Sequence, residues 1–99
     1  MTQININTPD SKIKEQTSQL VIQAISREKR LIQSALEKTL SHLSLMEKKY
    51  SLSSEDFYRN YTNGSTDDSD DVVDWAGEYQ IYLSLNLQLS QLEDIQVCS

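Results

Sequence analysis

Six carboxylates crowd into a short stretch of this 99-residue chain: Asp67, Asp68, Asp70, Asp71, Asp74 and Glu78. Oxygen ligands at that density suit a hard divalent cation or a basic surface. A calcium-binding EF-hand, however, needs acids at set positions, a glycine at the sharp turn and a closing glutamate within one 12-residue loop. The stretch supplies no such order. Asp70, Asp74 and Glu78 stand four residues apart instead, a helical spacing at which like charges cost a few tenths of a kcal/mol per pair unless a cation approaches. Lys48, Lys49 and Arg59 could provide one from within the chain. The run reads as a solvated helix start that can also meet a basic partner, with no dedicated metal site.

Other chemistry has less to work with. His42 is the only histidine, so one chain cannot assemble a pair of imidazole ligands, and it reads as a helix-surface residue. Cys98 has no mate, which excludes an internal disulfide framework and fits a reducing, cytoplasmic setting. Gly64 and Gly77 are the only glycines, too few for a phosphate-cradling loop. The densest basic run, Arg27-Glu28-Lys29-Arg30, is four residues interrupted by an acid and has the character of a solvated helix face, not a nucleic-acid footprint. The expectation is a protein that binds and does not catalyse, with no cofactor, no metal and no direct contact to nucleic acid.

Charge is distributed unevenly. All nine Lys and Arg lie in residues 1–59 beside seven acids, a balance of +2, whereas residues 60–99 hold the other eight acids and no base, a balance of -8. The second part repels phosphate and attracts a basic protein surface. Residues 1–7 lack the basic and apolar regions of an export signal, and no stretch approaches about 18 apolar residues, so neither export nor membrane insertion is expected.

These residues need elements to position them. From Ser11 to Tyr50 there is neither Gly nor Pro, and Val21, Ile25, Ile32, Leu36, Leu43, Met46 and Tyr50 recur at steps of three, four or seven. That is one long amphipathic helix. A second line, Leu20, Ala24, Leu31 and Ala35, widens its apolar arc beyond what one helical neighbour covers, which implies two. Ser53-Ser54-Glu55-Asp56 has the chemistry to open a short helix over residues 54–62, carrying Phe57, Tyr58 and Tyr61, and Asn63-Gly64 to close it. An acidic loop follows. Over residues 70–95, Leu83, Leu85, Leu87 and Leu89 alternate with polar residues as in a strand. Trp75, Tyr79, Tyr82, Leu85, Leu89 and Leu92 nevertheless hold helical spacing, and Asp70, Asp71 and Asp74 suit a helix N-terminus. Ahead of all this, an arm over residues 1–10 contains Ile4 and Ile6 in alternation, either a short strand that pairs outside the chain or a frayed tail.

The expected fold is all-α, one domain built as a long antiparallel helical hairpin with a short connecting helix. A domain this small buries only about 60–65% of the surface its unfolded chain exposes, so association would add to its stability. The first helix is the longer, about 60 Å against about 39 Å at 1.5 Å per residue. Ile13, Leu20, Val21 and Ile22 would then project past the pairing, an apolar patch of the kind that marks an interface. The aromatic set, Phe57, Tyr58, Tyr61, Trp75, Tyr79 and Tyr82, reads mostly as core.

Ser54-Glu55-Asp56-Phe57-Tyr58-Arg59, then Asn63-Gly64, the acidic loop and Asp74-Trp75-Ala76-Gly77-Glu78-Tyr79-Gln80-Ile81-Tyr82-Leu83 resemble a family of small antitoxin-like proteins encoded beside small toxins in prokaryotic operons. The resemblance covers residues 50–93. It implies a cytoplasmic protein that binds and blocks a toxin, often an RNA-cleaving one, through helical surfaces. On that reading the acidic part covers a basic toxin, and the overhanging helix completes the contact or forms a homo-oligomer. The competing expectation is a structural helical oligomer or adaptor with no toxin partner.

Overall fold

The computed structural model describes residues 11–95, and all their regular structure is helical: α1 (Ser11–Tyr50), α2 (Ser54–Thr62) and α3 (Asp70–Glu93). The arm at residues 1–10, with its strand-or-tail alternative, and Cys98 lie outside the described residues. The bounds of α1 and α2 coincide with those read from the sequence. The last helix stops at Glu93, short of the expected residue 95, with Asp94 as its cap donating to the Leu92 and Ser90 carbonyls.

Two helix ends share one device. After α2, Gly64 takes a φ of 77°, its N–H donates to the Tyr61 carbonyl (3.1 Å), and the Ser65 N–H reaches back to Asn60 (2.9 Å). This is the Schellman arrangement, in which a left-handed residue lets the chain double back onto its last free carbonyls. After α1 the same position falls on Ser51 (φ 52°), and the Leu52 N–H donates to the Glu47 carbonyl at 3.2 Å. Helix starts are capped by hydroxyls: the Ser53 Oγ accepts from the Asp56 N–H at 3.1 Å, and the Ser69 Oγ from the Val72 N–H at 3.3 Å.

The core forms where all three helices meet. Leu43, Phe57, Trp75 and Ala76 are buried together, with Met46, Leu52, Tyr58, Tyr61, Val72, Tyr79 and Tyr82 packed around them. Phe57 and Trp75 stack almost parallel, 3.9 Å between ring centroids, and Tyr50 lies over the same indole at 5.6 Å. Ile32 and Leu36 continue the buried stripe of α1. Contacts between α1 and α3 pair rising with falling residue number: Tyr50 with Trp75, His42 with Glu78, and Ile32 beside Gln88 and Leu92. The described chain is a rod with extents of 63 × 22 × 19 Å.

The alternating leucines of α3 separate onto two faces once wound at 3.6 residues per turn. Leu85 and Leu89 are half-buried, whereas Leu83 and Leu87 are exposed. A strand would have put all four on one face.

Candidate functional site: an acidic end and an apolar overhang

The six carboxylates divide by what they hold. Asp71 accepts from the Lys49 ammonium at 2.7 Å and from the Tyr50 hydroxyl, which clamps the start of α3 to the end of α1. These bonds hold its carboxyl below the ordinary range, the Lys49 contact contributing most. The same contact raises Lys49, and Asp71 likewise raises Tyr50. Glu78 is half-buried and meets His42 Nδ1 at 2.9 Å. Asp67 accepts from the Ser69 backbone N–H at 2.9 Å, an interaction that lowers its pKa and folds the loop just ahead of α3. Asp68, Asp70 and Asp74 are exposed, and among the described residues none of them has a salt-bridge partner.

The cations the sequence offered are partly committed elsewhere. Lys49 goes to Asp71, but Arg59 pairs within α2, with Asp56 at 2.9 Å and Glu55 at 4.0 Å. Asp74 and Glu78 flank a cleft of about 260 Å³ whose other walls are His42, Met46 and Trp75. A lining that joins apolar Met46 and Trp75 to two carboxylates matches a lysine or arginine side chain, whose stem is apolar and whose head is charged. Among the described residues no group of three or more His, Cys, Asp or Glu is placed to hold a metal ion, and no helix is long and apolar enough to cross a membrane.

The other candidate surface lies at the opposite end of α1. Ile13, Leu20, Val21 and Ile22 are 59, 66, 42 and 46% exposed. Residues near Ile25 and Ser26 are half-buried, and Glu28 and Ile32 line a cleft with the end of α3, so residues 11–24 extend beyond their neighbour. The second apolar line of α1 has little cover: Leu31 is 61% exposed and Ala35 half-buried.

Two polar residues central to this geometry were not singled out as such in the sequence. The Ser54 hydroxyl, buried, accepts from the Trp75 indole N–H at 2.9 Å, and Glu47 accepts from the Ser54 backbone N–H at 2.9 Å. Together they lock the three helices where Trp75 lines the cleft. Only Ser54's place in a helix-opening run was readable; its partner lies 21 residues away. No protein-family profile, curated protein or solved structure matches the chain.

Proposed function

We propose that α1, α2 and α3 form an antiparallel helical hairpin that works as an antitoxin-like binding protein, neutralising a basic toxin by direct contact in the cytoplasm. The observation that carries this reading is the surplus of exposed carboxylates. Residues 60–95 contain no Lys or Arg, Asp68, Asp70 and Asp74 stand exposed, and Asp74 lines a cleft that matches a basic side chain. A basic surface meeting this end gains long-range attraction and supplies the cations that Asp68, Asp70 and Asp74 lack. Catalysis has no part in the reading: recognition by shape and charge suffices to cover an RNA-binding face. The resemblance over residues 50–93 points the same way, since it includes the short helix, the acidic loop and the Trp75 segment.

The test is co-expression and pull-down with the product of an adjacent small, basic reading frame. The expected result is a complex and relief of growth arrest; growth arrest with no complex overturns the proposal. A second reading, a structural oligomer or adaptor, is favoured by the apolar overhang. It is distinguished by self-association that a basic partner leaves unchanged.

A further inference from the structure

The side of the α1–α3 pair that carries α2 is only partly filled. α2 has nine residues and α3 twenty-four. Tyr58 of α2 reaches α3 as far as Tyr79 and Gln80, so the thirteen residues 81–93 leave about 20 Å of this side without a third helix among the described residues, at 1.5 Å per residue. Directly next to the start of α2 lies a groove of about 290 Å³ lined by Leu40, Leu43, Glu47, Glu55, Tyr79 and Tyr82. Leu83 and Leu87 continue the Tyr79 row at four-residue steps, and Leu40, Leu83 and Leu87 are 48, 45 and 60% exposed. The charged groups in the groove lining are carboxylates, and α3 contributes no base along its whole length.

We propose that a second copy of this chain fills the groove, so that the protein is a symmetric antiparallel dimer in which residues 11–24 of each copy lie between α1 and α3 of the other. Two independent matches select this occupant. The overhang has fourteen residues, about 21 Å of helix, against about 20 Å of vacant groove. Its first turn carries Lys12 and Lys14 against one acid, Glu15, and in an antiparallel arrangement that turn points toward the end of the groove where Glu47 and Glu55 stand. A two-fold axis across the rods fills both grooves in one operation, which closes the assembly at two copies. Val21 and Ile22 lose water on one copy while Leu40, Leu83 and Leu87 lose it on the other. The acidic tip with Asp68, Asp70 and Asp74 takes no part, so the proposal does not depend on the toxin reading.

Sedimentation equilibrium of the full chain tests it. The expected mass is twice 11.4 kDa; a monomer across the micromolar range, or a larger closed assembly, overturns it. Exchange of Leu83 and Leu87 together for Glu should weaken the dimer at least roughly a hundredfold, since each buried anchor lost is worth on the order of tenfold or more. Leu45→Glu, on an exposed part of α1 outside this groove, should leave the mass unchanged. Loss of the dimer through Leu45 and not through Leu83 and Leu87 would place the interface elsewhere and sink the proposal. The charge match has its own reading: K12E with K14E should weaken the dimer and E55K should restore part of it. Absence of that rescue removes the antiparallel register. Far-ultraviolet circular dichroism of each variant establishes that the helices are intact before its mass is compared.

Discussion

Asp71 shows how one side chain can belong to the fold although its neighbours in sequence are free for a partner. Its carboxylate is ionised to lower pH in the folded chain than in the unfolded one, because Lys49 and Tyr50 both donate to it. Its contribution to stability is therefore present above about pH 4 and is lost as pH falls through its depressed folded value. Tyr50 and Lys49 are raised, so their share is present below about pH 10 and is lost on the alkaline side. Asp71→Asn should lower the melting temperature at pH 7, and the gap to the parent should narrow as pH falls below about 4. A constant difference between the two proteins across that range would exclude the clamp. Ser54 makes a sharper case, being buried and bonded to the Trp75 indole. Ser54→Ala should cost about 1–3 kcal/mol in chemical denaturation, the penalty of an unsatisfied buried donor, and Trp75→Ala about 3–5 kcal/mol for the lost ring. That Trp75 belongs to the core was legible from its helical spacing with Tyr79 and Tyr82. The serine hydroxyl that receives its N–H was not, because pairing across 21 residues leaves no periodic trace.

Helix boundaries were readable wherever a cap or a stop is local. Ser53 and Gly64 announce the two ends of α2, and the long run without Gly or Pro gives α1. The end of α1 was read from where its periodic run stops at Tyr50, without a glycine to mark it, since Ser51 takes the left-handed turn that glycine adopts more readily. Gly77 is the converse: a glycine inside α3 where no close approach requires one, with open space where a side chain would stand. Gly77→Ala should stabilise the protein by about 0.5–1 kcal/mol through helix propensity alone, seen as a higher denaturation midpoint with an unchanged slope. At Gly64 the same substitution also meets open space, but the φ of 77° strains an alanine. Gly64→Ala should destabilise by about 1 kcal/mol. Opposite signs from one chemical change would show that backbone conformation, not packing, decides both. The site was less legible than the elements that carry it: spacing put six acids at one end of α3, but which of them are already bonded depends on how α1 lies against α3.

Over the whole molecule the dominant feature is a separation of charge along a rod 63 Å long. Residues 11–30 hold five bases, Lys12, Lys14, Arg27, Lys29 and Arg30, against Glu15 and Glu28, whereas the far end carries Asp67, Asp68, Asp70, Asp71 and Asp74. With a Debye length of about 8 Å at physiological salt, the two ends act on partners independently. Long-range attraction to a basic protein should then speed association much more than it slows dissociation. Neutralising Asp68, Asp70 and Asp74 together to Asn removes charges that hold no internal cation, so the melting temperature at pH 7 should change little. The association rate with a basic partner, measured by stopped flow at low salt, should fall by roughly tenfold or more, and its dependence on salt should become shallower. If the melting temperature drops as steeply as the rate, these three carboxylates are serving the fold as Asp71 does, and the acidic end is not a recognition surface.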